Sequence, residues 1–263
     1  MELLKIENIS AGYGNEIILK DINFTIEKSE FTALLGLNGT GKTTLLKTIS
    51  GLIKPLSGKS FLNGEDISAL TEKGRAQKIS YMSQRHSIGY DISVVDVVIM
   101  GITPYLGMFE TPSKAHKQLA YEMIHIMGME EIKDSNFNNL SEGQKQLIII
   151  GRNLMQDAAL MLFDEPDSAL DFTNKHMVLN KIRKIVRQNK RAGLITLHDP
   201  NYALNYCDRI ILIDGGGVFA DFYTEDISLQ LLEDIFTPIY GEIEVIKHKG
   251  KFMIMRSDYE SGI

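Results

Sequence analysis

The chain has 263 residues, 44 % of them hydrophobic, and 28 basic against 34 acidic side chains give a net charge of −6. That is enough to bury a full core in one large domain or two intimate ones, and the acidic balance, with a pI near 5.6, argues against a nucleic-acid surface. A single cysteine, Cys207, excludes an internal disulfide and suits a reducing cytosol. No apolar run approaches the ~18 residues a membrane span needs, and the N-terminus lacks the basic and apolar regions of a signal peptide.

In chain order, residues 1–35 alternate as short strands with turns at Gly12, Gly14 and Asp21, and 57–64 reads as more hairpin. These segments are expected to form an antiparallel layer. The run 30–36 is apolar and bounded by charge, as a buried parallel strand should be. After it, 42–50 reads as a helix with Leu45, Leu46 and Ile49 on one face. A strand-like segment, 78–84, is followed from about 86 to 157 by a helical pattern at 94–102, 113–129 and 144–155. Strand–helix alternation resumes at 158 and runs through Asp214; a helix at 228–236 and paired strands at 242–247 and 251–256 close the chain. The expected organisation is one domain, 1–263: a nucleotide-binding core with its β layer (1–85 and 158–225), a helical subdomain (86–157) and a C-terminal extension (226–263).

Gly36-Leu37-Asn38-Gly39-Thr40-Gly41-Lys42-Thr43 is a complete phosphate-binding loop. Gly36, Gly39 and Gly41 let the backbone bend until successive N–H groups face the phosphates, and the helix N-terminus adds its partial positive charge. Residues Gly36 through Thr44 are therefore the candidate contacts for the ATP triphosphate. Lys42 is expected to reach the β- and γ-phosphates, and the Thr43 hydroxyl to coordinate Mg²⁺. A second constellation supports the first: the hydrophobic strand 160–163 ends in Asp164 and Glu165. The carboxyl ends of strands open onto the ligand crevice of a parallel α/β sheet. Asp164 there would hold Mg²⁺, and Glu165 would polarise the attacking water.

Leu140-Ser141-Glu142-Gly143-Gln144 reads, on its residues alone, as a helix start, with Ser141 as N-cap and Gln144 completing a capping box. A capped N-terminus is also an anion site. Together with the phosphate loop it gives the chain a clear resemblance to the ATP-binding-cassette (ABC) ATPases over nearly its whole length. Residues 140–144 match that family's signature, usually Leu-Ser-Gly-Gly-Gln, with Glu142 replacing the first glycine. Gln84 matches the Q-loop glutamine, Ser168-Ala169-Leu170-Asp171 the D-loop, His198 the switch histidine, and Tyr13 the aromatic that stacks on adenine. Asp167 stands where the family more often has Thr.

The resemblance implies an α/β fold with a P-loop NTPase (RecA-like) core, an antiparallel β layer and a helical signature subdomain. It implies ATP hydrolysis with Mg²⁺ held by Thr43, Asp164 and Gln84, and catalysis by Glu165, His198 and Gln84. Because the signature lies in a separate helical segment, one subunit is not expected to enclose its own ATP. A second copy facing head to tail would supply Ser141, Gly143 and Gln144, with Asp171 at the same interface. A carboxylate at 142 would repel phosphate if turned inward, so Glu142 is expected to face solvent.

With no membrane span, a transporter role requires transmembrane permease subunits, and indirectly a substrate-binding protein, with this chain on the cytoplasmic face of the membrane. In this family the permease docks between the Q-loop and the helical segment, here 84–109. Its Val-Val-Asp-Val-Val-Ile-Met-Gly and Pro-Tyr-Leu-Gly-Met-Phe runs, with the tail 235–245, look like the branch that imports ferric siderophores, haem and cobalamin. Importers of zinc, manganese or molybdate are the next reading. A soluble ABC ATPase, for instance of iron–sulfur assembly, matches 84–109 less well.

Overall fold

The computed structural model describes residues 1–14, 16–84, 88–188 and 190–257. β1 (Glu2–Tyr13) and β2 (Glu16–Glu27) form a long hairpin, and β3 (Phe31–Leu35) leads into α1 (Lys42–Ile49). β4 (Ser57–Leu62) and β5 (Glu65–Asp66) complete an antiparallel sheet ordered β2-β1-β4-β5. α2 (Glu72–Lys78) precedes β6 (Ile79–Met82), and three helices follow: α3 (Val94–Ile99), α4 (Lys114–Met127) and α5 (Glu142–Met155). The chain then alternates through β7 (Leu160–Phe163), α6 (Phe172–Gln188), β8 (Ala192–Thr196), α7 (Pro200–Tyr206) and β9 (Arg209–Asp214). It ends with β10 (Gly217–Tyr223), α8 (Leu229–Tyr240), and the hairpin β11 (Ile243–His248) and β12 (Lys251–Arg256).

The second sheet is ordered β10-β9-β3-β8-β7-β6, parallel except for β10 at its edge. Its central strands are apolar on both faces because both are covered. Phe31, Ala33 and Leu35 join a cluster with α3, α4 and α5, whereas Leu34 points the other way, into a cluster with β1, β2 and α1. The same period-2 division separates Met161 and Phe163 from Leu160 and Leu162. All the parallel strands therefore end on one rim, where β3 and β7 deliver the phosphate loop and the two carboxylates.

Two local differences from the sequence reading have physical causes. The N-terminal strands are 12 residues each rather than short. Asn8 and Asp21 take positive φ (49° and 51°) beside register shifts, so bulges interrupt the side-chain alternation without ending the ladder. The helix expected over 94–102 leaves α geometry at Ile99 and tightens into a 3₁₀ turn, Met100–Tyr105. There the backbone passes close to α5: a Cβ on Gly101 would lie 2.4 Å from the Arg152 carbonyl oxygen. The last helix runs past 236 to Tyr240, carrying Pro238 inside it. Strand β10, an antiparallel edge, had no separate signal.

Candidate nucleotide site

The phosphate loop lies between β3 and α1, and two of its glycines, Gly36 and Gly41, are sterically required. Gly36 has φ 146°, and a Cβ there would lie 2.3 Å from the Ile213 carbonyl oxygen; one on Gly41 (φ 99°) would lie 2.6 Å from Leu19 Cδ2. At Gly39 (φ 82°) a Cβ would meet nothing within 4 Å, so that turn of the loop faces open space. Gly41 caps α1 with no side-chain hydrogen bond to the helix. Lys42 is buried, and its Nζ donates to the carbonyl oxygens of Gly36 (2.8 Å) and Leu37 (2.9 Å). Burial pushes its pKa below the usual lysine value, opposed by the charges of Glu165 and Asp164.

Asp164 and Glu165 stand at the end of β7, both buried. Asp164 Oδ1 accepts from the hydroxyls of Thr43 (3.0 Å) and Thr196 (3.0 Å), and Oδ2 from that of Tyr81 (3.2 Å). Burial first, then Asp164, raises the Tyr81 hydroxyl far above its ordinary value, so it remains a donor. Glu165 adopts φ 49°, a left-handed conformation that a non-glycine residue keeps only when its surroundings hold it. Here its N–H donates to Thr196 Oγ1 (2.7 Å), and Gln146 Nε2 lies 3.5 Å from its carbonyl oxygen. Its Oε2 accepts from Gln84 Nε2 (2.5 Å) and pairs with His198 Nε2 (2.8 Å). The three expected catalytic groups therefore meet at one carboxylate oxygen.

The cavity at this point holds about 200 Å³ and is lined by Ile18, Asn38, Gly39, Gly41, Lys42, Thr43, Thr44 and Glu165. Ligand sites that enclose a small molecule usually measure ~300–1,000 Å³, so this cavity is too small to enclose a whole nucleotide. The donors fit Mg²⁺. Thr43, Asp164 and the amide oxygen of Gln84 are hard oxygen ligands, and Thr43 and Asp164 are already in contact. Among the described residues no group of three His, Cys, Asp or Glu could cage a metal by itself. That suits an ion bound by one or two carboxylates together with substrate phosphates.

Ser141, Gly143 and Gln144 do not line this pocket. They form the start of α5, where the capping box is complete: Ser141 Oγ accepts from Gln144 N–H (3.3 Å) and Gln144 Oε1 from Ser141 N–H (3.0 Å). Gly143 packs beside the loop between β7 and α6, its Cβ position 3.3 Å from the Ala169 carbonyl oxygen. Glu142 is 77 % exposed and pairs with Lys145 at 2.8 Å, so it faces solvent. Asp171 spends both oxygens on the first turn of α6, accepting from Asn174 N–H (2.8 Å) and Asn174 Nδ2 (3.1 Å). Tyr13 lies half exposed at the end of β1, near enough to Tyr81 to add to the rise of its hydroxyl. Asp167 is buried, with Oδ2 3.6 Å from Lys175 and Oδ1 unpaired; burial raises its pKa against the pull of Lys175 and His198.

Sequence reasoning missed Tyr81 and Thr196, which hold the Asp164 carboxylate, and Gln146, which with Thr196 holds the Glu165 main chain. Thr196 had a readable signal, a hydroxyl inside the otherwise apolar run 193–197. Tyr81 and Gln146 had none, because their partners lie 83 and 19 residues away. A larger cavity, about 750 Å³, opens between the core and the helical segment, lined among others by Gly51, Arg75, Tyr81, Gly101, Arg152 and Gln156. Beyond it Tyr105, Met108 and Phe109 are exposed. Of the run 84–109, residues 85–87 lie outside the described residues.

A glycine loop on a helix N-terminus, facing strand-end carboxylates across a parallel sheet, defines a P-loop nucleoside triphosphatase. Residues 19–168 match the ABC transporter family, and the chain belongs to that family, as an ATP-binding, ATP-hydrolysing cassette. It is 30 % identical over 254 residues to a Helicobacter pylori ATP-binding protein named for iron chelatin transport, covering 96 % of this chain and 98 % of that one. A Treponema denticola phosphonates import ATP-binding protein is 34 % identical over 246 residues, with 90 % and 96 % covered. Among solved structures, a metal-chelate type ABC transporter in an inward-facing conformation superposes with a TM-score of 0.80 at 27 % identity, covering 97 % of this chain and 96 % of that one. A cassette dimer in a post-hydrolysis state with ADP and Pi gives 0.77 at 26 % identity, covering 86 % and 100 %. Among the described residues, no helix is long and apolar enough to cross a membrane.

Proposed function

We propose that this chain powers an importer of the ferric-siderophore, haem or cobalamin type, paired head to tail with a second copy and seated beneath a membrane permease. The carrying observation is the convergence of Gln84 and His198 on Glu165 beside the phosphate loop, while the signature residues form the surface-exposed start of an otherwise buried helix, outside that pocket. Lys42 and the loop N–H groups bind the triphosphate. Glu165 accepts a proton from a water whose oxygen attacks the γ-phosphorus, and the bond from that phosphorus to the β–γ bridging oxygen breaks as ADP leaves. His198, hydrogen-bonded to Glu165, and Gln84 orient base and water. Bound Mg²⁺ supplies charge neutralisation on the phosphates, held by Thr43, Asp164 and Gln84. Tyr13 stacks on adenine, and Ser141, Gly143 and Gln144 of the second copy complete the γ-phosphate site, with Asp171 at that contact.

The 750 Å³ cavity and the apolar residues beside it are where a cytoplasmic helix of the permease docks, closing the core (1–85, 158–225) against the helical subdomain (86–157) as ATP binds. The Helicobacter relative and the metal-chelate transporter favour a chelated-metal cargo; the phosphonate relative names the alternative that must be excluded. Co-expression with candidate permeases and purification from membranes tests the reading. A multi-span partner whose binding protein, loaded with a ferric chelate, stimulates ATP turnover is the expected result. Stimulation by a phosphonate, or co-purification with a soluble assembly protein, would overturn it.

A further inference from the structure

His198 is held at its ring by Glu165, but its side chain remains 45 % exposed, and the segment carrying it turns directly into α7. Asp199 caps that helix, accepting from Asn201 N–H at 2.8 Å. Three residues beyond His198, the Asn201 side chain meets the main chain of β12 on both sides. Its Nδ2 donates to the Ile254 carbonyl oxygen (3.1 Å), and its Oδ1 accepts from Ile254 N–H (2.8 Å). An asparagine amide presents one donor and one acceptor in the pattern of a peptide group, so it continues the hairpin ladder as a neighbouring strand would. The contact is supported from within: Ile254 is buried opposite Val245, α8 packs on β11, and α7 packs on β12. α7 is also linked to α6, since Lys175, paired with Asp167, lies 5.8 Å over the Tyr202 ring.

We infer that Asn201 is a positioning residue that anchors the His198 segment to the C-terminal hairpin, making residues 243–256 part of the support of the active site. This rests on the proposed role of His198. A hydrogen-bonded clamp three residues from a reacting group restricts where that group sits, and displacements on the order of 1 Å can cost ~10²-fold in rate. The two exposed methionines of β12, Met253 and Met255, lie on the face opposite the buried Ile254 side chain.

The test compares Asn201→Ala, Asn201→Asp and His198→Ala in the full chain by steady-state ATP turnover and thermal unfolding. Asn201→Asp keeps the shape and the acceptor for Ile254 N–H but sets a carboxylate against the Ile254 carbonyl oxygen, so it reports on the clamp even if Asn201→Ala folds poorly. Both Asn201 variants are expected to lose about tenfold in kcat with KM for ATP unchanged. If both keep wild-type kcat while only Tm falls, and His198→Ala is inactive, Asn201 merely staples the fold and this inference is overturned alone. If His198→Ala turns over normally, the role given to His198 fails and the inference fails with it.

Discussion

Two helix N-termini of this molecule, those of α1 and α5, are built in opposite ways. α1 begins at Gly41 in left-handed geometry with no side-chain cap, buried among its own carboxylates, with Lys42 folded back on the loop carbonyls. α5 begins at Ser141 with its donors reciprocally capped, at the surface, and with no part in the pocket. An uncapped N-terminus keeps its N–H groups for an anion within its own subunit. A capped, exposed one keeps its helix stable by itself and can offer its remaining donors only to something outside. That contrast is what a site divided between two copies requires.

The largest effect is expected at the buried end of the comparison. Glu165→Gln should bind ATP yet lose turnover by ~10²–10⁴-fold, and normal hydrolysis by that variant would remove Glu165 from its assigned role. Lys42→Ala should weaken ATP binding in a direct titration by ~10–150-fold, the equivalent of a charged hydrogen bond worth ~1.5–3 kcal/mol. Ser141→Arg probes the exposed end. Nucleotide binding to the single subunit should be unchanged while turnover is lost, and mixing it with Lys42→Ala should restore part of the activity through dimers with one intact composite site. No recovery on mixing would break the division between copies.

Smaller effects sharpen the comparison. Thr196→Val leaves the Glu165 N–H without its acceptor, at a cost of ~1–3 kcal/mol. That should appear as a fall of ~2–4 °C in Tm for each kcal/mol in a chain of this size. Glu142→Gly, at a solvent-facing pair with Lys145, should change stability by less than ~1 kcal/mol and leave turnover near wild type; a large gain in turnover would mean that the carboxylate reaches the phosphate.

Much of this was legible in sequence order because each motif is local. Gly36 to Thr43 is a continuous loop, and Asp164 and Glu165 directly end an apolar strand. The capping box needs only Ser141 and Gln144. What stayed hidden depends on residues far apart in sequence. The bulges at Asn8 and Asp21 disguised two long strands as short ones, and β10 took its place as an edge only because β9 offered one. Pairing of Tyr81 with Asp164, of Gln146 with Glu165, and of Asn201 with Ile254 follows from how strands and helices pack, which no local pattern encodes.

By itself, then, the amino-acid order determined the parts: a phosphate-binding loop, strand-end carboxylates, a capped signature helix and their succession along the chain. These follow from backbone conformation and periodicity, which act over a few residues. Only the tertiary structure decided that Gln84 and His198 converge on a single Glu165 oxygen, that Thr196 holds Glu165 in a strained conformation, and that the signature lies outside the pocket. Those outcomes depend on the sheet order β10-β9-β3-β8-β7-β6, because sheet order, set by burial on both faces, determines which strand ends become neighbours.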